Sequence, residues 1–174
     1  MKNIEIEQKF RIKNAASIRK TLRRLGAKRT GTGREENEFY DIARGLRKKR
    51  ISLRLRRYQG RGLLTLKGRR QGMHRTLSKR MEVESPVNFL QMRLLLNLLG
   101  FKKWLSYSKT RETWQLPGAE VVIDYFPRFG WFAEIESSQA RIHRLAKTLG
   151  LLPEHAVAES YLAMQLRGKH LFRR

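Results

Sequence analysis

The chain has 174 residues, 40% hydrophobic and 31% charged, which fits one globular domain with a real core and excludes a disordered chain. Its 39 Lys+Arg against 15 Asp+Glu give a formal net charge of +24, so phosphate-rich partners are favoured. With no cysteine, disulfides, thiol catalysis and cysteine-based zinc sites are excluded.

The opening residues MKNIEIEQKF alternate charge and apolar groups, so they are not a signal peptide. Ile4 to Ile12 reads as a strand. Ile4, Ile6, Gln8, Phe10 and Ile12 share one face, and Glu5, Glu7, Lys9 and Arg11 share the other. Ala15 to Leu25 has helical spacing through Ile18, Leu22 and Leu25, with Gly26 as its stop. Arg34 to Ile42 is a strand candidate. Ile51 to Arg57 sets Ile51, Leu53 and Leu55 against Ser52, Arg54 and Arg56. Leu63 to Lys67 sets Leu64 and Leu66 against Thr65 and Lys67, and Gln59 to Gly62 forms the hairpin turn between them.

Leu77 to Glu84 sets Met81 and Val83 against Arg80, Glu82 and Glu84. Pro86 then opens a helix that ends at Gly100. Its leucines at 94–99 are expected to be a core face first and an oligomer seam second. This stretch, Phe89 to Phe101, is the most apolar in the chain, but it is short and holds Arg93. It cannot span a membrane, so no membrane partner is expected and the cytoplasm is the location left by elimination. Trp104 to Gln115 is a strand with poor alternation. Ala119 to Phe126 and Trp131 to Ser137 alternate well, and helices follow near 139–149 and 155–167. About eight strands with about four helices, at regular spacing and without linker or repeat, give an α+β chain built on a barrel or sandwich. Residues 1–167 are expected to form one domain and 168–174 a basic tail.

Acidic pairs at a spacing of two recur at Glu5/Glu7, Glu82/Glu84 and Glu134/Glu136, with basic pairs at Arg54/Arg56 and Lys109/Arg111. That spacing puts both members of a pair on one strand face. Carboxylates crowded together repel by about 4 kcal/mol at an effective dielectric of 20, so a cluster of them needs cations. All-oxygen ligands suit Mg²⁺ or Mn²⁺, and interleaved Arg and Lys suit phosphate oxygens. His74, His143, His155 and His170 are scattered and match no metal-ligand spacing. Gly31-Thr32-Gly33 is followed by no Walker Lys. Trp104, Trp114 and Trp131 read as core or wall residues.

These residues resemble CYTH domains, also called triphosphate tunnel metalloenzymes. Glu5-x-Glu7-x-Lys9 is similar to the ExExK signature. In family order follow Leu53-Arg54-x-Arg56, Leu64-Thr65-x-Lys67-Gly68, Arg80-x-Glu82-x-Glu84, Lys109-x-Arg111, Asp124 and the closing strand Phe129 to Glu136. Glu159-Ser160-Tyr161-Leu162 resembles the S-Y-x-x-L ending of the class IV adenylate cyclase branch, and Glu35 to Asp41 resembles a Q-x-D-x-Y-F-D region only loosely. The resemblance implies a closed eight-stranded antiparallel β-barrel whose tunnel binds a triphosphate and Mg²⁺ or Mn²⁺. It implies metal-side carboxylates at Glu5, Glu7, Glu82, Glu84, Asp124, Glu134 and Glu136. Glu5, Glu7, Glu134 and Glu136 are favoured for direct contact, with Asp124 close behind. Phosphate binding falls to Lys9, Arg54, Arg56, Lys67, Arg80, Lys109 and Arg111, with catalytic roles for Lys9 and Lys67 in stabilising charge on phosphate oxygens.

The implied activity is conversion of ATP to cyclic AMP and pyrophosphate. The alternatives are hydrolysis of tripolyphosphate or of a nucleoside or thiamine triphosphate, and, from another class, a noncatalytic polyphosphate- or RNA-binding module. Homodimers are common among such domains. Residues 42–81 hold 15 Lys/Arg and no acid, a surface for nonspecific polyanion binding.

Overall fold

A computed structural model describes residues 4–71 and 76–170. Among them are nine strands: β1 (Ile4–Ile12), β2 (Lys28–Asp41), β3 (Ser52–Tyr58), β4 (Arg61–Gln71), β5 (Leu77–Val87), β6 (Lys102–Leu116), β7 (Ala119–Phe126), β8 (Gly130–Glu136) and β9 (Ala156–Val157). The α-helices are α1 (Ala16–Arg24), α2 (Gly45–Lys48), α3 (Phe89–Leu98), α4 (Gln139–Thr148) and α5 (Tyr161–His170). His74 lies outside the described residues. So do 171–174 of the expected tail, whose first three residues continue α5.

The sheet order is β5-β4-β3-β2-β6-β7-β8-β1, and an additional β5–β1 pairing closes the ring. Every pairing is antiparallel, so the expected closed eight-stranded barrel is present. The closing seam is short, from Ile4↔Met81 to Gln8↔Leu77. Beyond it, β9 takes up the edge of β1 at Lys9 and Phe10.

The apolar core lies outside the barrel wall. The outward residues Phe10, Val121, Ile123, Ala133 and Ile135 pack with Ile18 and Leu22 of α1 and Ile142 and Ala146 of α4. Each large side chain buried this way stabilises the fold by about 1.5–3 kcal/mol. A second cluster, Tyr40, Leu53, Leu55, Phe89 and Leu96, sits under α3, with Leu46 of α2 against it. A third closes one end of the barrel: Phe126, Phe132, Tyr161 and Met164, joined by Tyr107 and Phe129.

Three local expectations are corrected. Pro86 belongs to β5, opposite Leu63, and the helix begins later because Asn88 caps it. The Asn88 Oδ1 accepts hydrogen bonds from the Leu90 and Gln91 amides at 3.1 and 3.0 Å. Replacing Asn88 with Ala is expected to cost about 1 kcal/mol, read as a lower urea midpoint. The leucines at 94–99 are mostly not core: Leu96 is buried, but Leu94, Leu95, Leu98 and Leu99 are exposed. The last helix starts at Tyr161, not 155, after a 3₁₀ turn (Pro153–His155) and β9.

The β3–β4 hairpin turns on Gln59 and Gly60, both at positive φ (50° and 73°), the backbone that two-residue hairpins require. Gly62 passes so close to the Val87 carbonyl that a Cβ there would stand 2.4 Å from it.

Candidate functional site

Because the helices cover the outside, the barrel interior receives the other strand face, and that face is charged. Glu5, Glu7 and Lys9 of β1, Arg54 and Arg56 of β3, and Lys67 of β4 line one cavity of about 370 Å³. Arg80, Glu82 and Glu84 of β5, Lys109 and Arg111 of β6, and Glu134 and Glu136 of β8 complete it with Glu120 of β7. All seven expected phosphate binders converge there, as do six of the seven expected metal carboxylates. Asp124 stands behind the lining, fully buried.

Register explains the convergence. Neighbouring strands put opposite charges side by side: Glu5↔Arg80, Lys67↔Glu82, Lys9↔Glu134 and Arg111↔Asp124. The Lys67 Nζ donates to both Glu5 oxygens at 2.9 Å and also touches Glu82. Arg80 donates to Glu5 at 3.3 Å and to Glu7 at 2.7 Å. Arg54 and Arg56 reach Glu84 at 3.6 Å, and the Thr65 hydroxyl donates to Glu84 at 2.7 Å. Lys9 lies 3.5 Å from Glu134, donates to the Glu159 carbonyl at 2.9 Å, and sits 3.8 Å from the centre of the Tyr161 ring.

The most buried network is anchored on Asp124. It accepts from Lys109 at 2.8 Å and from Arg111 Nε and Nη2 at 2.8 and 2.6 Å, and Arg111 also reaches Glu134 at 3.0 Å. Glu35, absent from the sequence-derived set, joins it at 3.4 Å from Lys109 and 3.5 Å from Arg111. Burial alone would raise the Glu35 pKa, but Arg111, Lys109 and Arg56 hold it far below the usual carboxylate range. Asn37 donates to Glu35 at 2.9 Å. Glu120 was missed as well, although its position two residues before Val122 and four before Asp124 puts it on the inward face. The two aromatics Phe39 and Tyr107 line the cavity beside Arg54, their rings 5.7 Å apart.

Glu7, Glu136 and Glu120 form a row across three strands. Among the described residues Glu120 and Glu136 have no ion pair with a Lys or Arg. Desolvation, then the charges of Glu5 and Glu120, push the Glu136 pKa up to about 7. Burial and the neighbouring Glu5 push Glu82 to about 8. Raised carboxyl pKa values mean that the native barrel binds protons the unfolded chain does not between about pH 4.5 and 8, so stability falls as pH rises through that window. The thermal midpoint of the ligand-free protein is expected to drop from pH 5.5 to pH 8, with added Mg²⁺ flattening the slope. A midpoint that climbs across this range would contradict the crowding.

The donor set fits a divalent metal: hard oxygen ligands, mutual repulsion and a partly unpaired row. No three His, Asp or Glu among the described residues stand close enough to grip one ion, and Lys67 and Arg80 hold Glu5 and Glu7 in ion pairs. Metal binding at this site therefore requires those ion pairs to be exchanged. Seven of the 39 Lys and Arg line the cavity, facing nine of the 15 acids once Asp124 and Glu35 are included. The other 32 basic residues and six acids lie elsewhere in the chain.

A family model described as CYTH domain matches residues 3–159. A protein of Vibrio parahaemolyticus described as a candidate adenylate cyclase superposes with TM-score 0.84 at 22% identity, covering 95% of this chain and 99% of that one. The PH1012 protein of Pyrococcus horikoshii gives 0.75 at 26% identity, covering 90% and 96%. A candidate adenylyl cyclase from Hippeastrum, described as having a dominant triphosphatase activity, gives 0.69 at 19%, covering 94% and 96%. No protein with a curated description matches the sequence.

Proposed function

The chain belongs to the CYTH domain family of triphosphate tunnel enzymes, and from that premise we propose that it is a divalent-metal-dependent adenylate cyclase. The observation that carries this reading is the convergence of seven Lys and Arg side chains with a carboxylate row in one cavity. Ser160, Tyr161 and Leu162, the residues that resemble the cyclase ending, form part of its wall.

Arg54, Arg56, Arg80 and Arg111 offer forked donors for phosphate oxygens, and Lys9, Lys67 and Lys109 add point charges. Asp124 and Glu35 hold Lys109 and Arg111 in place before substrate arrives, which is the preorganisation such electrostatic catalysis needs. Phosphate oxygens displace Glu5 and Glu82 from Lys67 and Glu5 and Glu7 from Arg80. Those carboxylates, with Glu134, Glu136 and Glu120, are the residues that would hold Mg²⁺ or Mn²⁺. When bound, the metal supplies neutralisation of phosphate charge. The ribose 3′-hydroxyl oxygen bonds to the α-phosphorus while the bond to the bridging oxygen breaks, giving cyclic AMP and pyrophosphate and releasing the hydroxyl proton to water. Lys9 and Lys67 steady the charge on the phosphate oxygens.

A second reading, hydrolysis of tripolyphosphate or a nucleoside triphosphate, is favoured by the lining itself. Only Phe39, Tyr107, Val122, Tyr161 and Leu162 offer apolar surface to a base. The dominant triphosphatase activity of the Hippeastrum protein supports it at the level of a shared fold. Incubation with ATP, and separately with tripolyphosphate, in Mg²⁺ or Mn²⁺ separates the readings by ion-exchange chromatography. Cyclic AMP with pyrophosphate is expected. Orthophosphate release, faster from tripolyphosphate, would replace the cyclase with the triphosphatase. Bound triphosphate without turnover would leave a polyanion-binding module.

A further inference from the structure

The exposed face of α3 is apolar in a chain that is otherwise densely basic. Leu90, Leu94 and Leu98 follow one another at intervals of four, so they form one stripe, and Leu95 and Leu99 widen it. Their exposures run from 47% at Leu95 to 79% at Leu98. The helix is held from the other side by Phe89, Leu96 and Met92. Its single charge, Arg93, is turned to Glu38 at 2.8 Å, so the outer face carries none.

The stripe has a basic border. Ile42, also exposed, lies beside the end of α3, where a Cβ on Gly100 would stand 3.5 Å from its Cδ1. Directly after Ile42 come Arg44, Lys48, Lys49 and Arg50, all exposed, and Lys102 lies opposite Asp41 in the register of β2 and β6. Leu46 of the same segment packs on the cluster beneath α3, which fixes the basic run against the leucine face.

We propose that this face docks on an anionic lipid bilayer, with the α3 leucines in the headgroup boundary and the 44–50 run on the acidic headgroups. No helix among the described residues is long and apolar enough to cross a membrane, and lying on one needs no span. Charge complementarity selects the occupant. Nucleic acid would use the basic border but gain nothing from five exposed leucines. A second copy would cover the leucines but bring together two basic borders from chains of net charge +24. An acidic membrane satisfies both features, and stable peripheral binding takes two such signals together.

The test is co-sedimentation of the full chain with phosphatidylcholine vesicles, and with vesicles containing phosphatidylglycerol, at about 0.15 M salt, where surface attraction is screened beyond about 8 Å. Two variants accompany it: Leu94→Gln/Leu98→Gln and Lys48→Ser/Lys49→Ser. These residues lie outside the tunnel lining, so unchanged circular dichroism and triphosphate binding certify the fold. Binding to the acidic vesicles alone is expected, weakened about tenfold or more by either variant, since each removes one of the two signals. Full binding by the leucine variant would reduce the effect to general adhesion of a basic protein and overturn the proposal. A dimer in sedimentation equilibrium that the leucine variant dissolves, with no vesicle binding by the wild type, would assign the face to a second copy and overturn it too.

Discussion

Replacing Asp124 with Asn is expected to lower folding stability by about 3–5 kcal/mol, the cost of removing one partner from a buried ion pair. Asp124 is fully buried and answers two cations, Lys109 at 2.8 Å and Arg111 at 2.8 and 2.6 Å. With the carboxylate gone, Lys109 keeps Glu35 at 3.4 Å, and Arg111 keeps Glu35 at 3.5 Å and Glu134 at 3.0 Å. A urea melt should show a lower midpoint with an unchanged slope. The contrast is Glu36→Gln, which breaks an exposed pair with Arg57 and should cost no more than about 1 kcal/mol. Equal effects from the two substitutions would mean that the inner network is solvated like a surface.

The double replacement Glu5→Gln/Glu7→Gln is expected to abolish metal-dependent turnover. Losing even the outer partners of metal ligands costs about 10- to 100-fold, and two direct ligands should cost more. The same change should tighten metal-free triphosphate binding. Glu5 and Glu7 occupy Lys67 and Arg80 in the free protein, and the amides no longer compete for them as charges. Calorimetry with tripolyphosphate in chelator, beside a turnover assay in Mg²⁺, reads both. Retained turnover would remove Glu5 and Glu7 from the metal site. Lost turnover with weaker phosphate binding would mean that the pair shapes the cavity instead.

The strands most legible in the sequence were those with one oily and one charged face. In β1, β7 and β8 the outward residues bury against α1 and α4, so alternation marks both the strand and its inward side. β6 hid its alternation because its outward face is polar too: Ser106, Ser108, Thr110 and Glu112, the last held by Arg19 of α1 at 3.0 Å. The structure nevertheless brings Lys109 and Arg111 inward, where the family resemblance had put them. β2 was obscured for a similar reason. Glu35 and Asn37 face in while Glu36 and Glu38 face out, the three carboxylates each with a cation, so neither face is apolar and Glu35 was not placed among the site residues. The α3 leucines misled in the opposite direction. Their spacing is right for a helix, but leucine on nearly every side does not say which side is covered.

The aromatic cluster at one end of the barrel gives the cavity a floor. Phe126 and Phe132 fill the interior there, Tyr161 and Met164 of α5 close over them, and Lys9 fastens the approach to α5 through the Glu159 carbonyl. The lining residues that reach solvent most freely, Glu84 and Glu136, are elsewhere. The passage is thus a cul-de-sac. A polymer cannot thread it and can offer only a terminus. In the reaction proposed above, both products would leave by the doorway through which the substrate came, so the one seated deeper would wait for the shallower one to go.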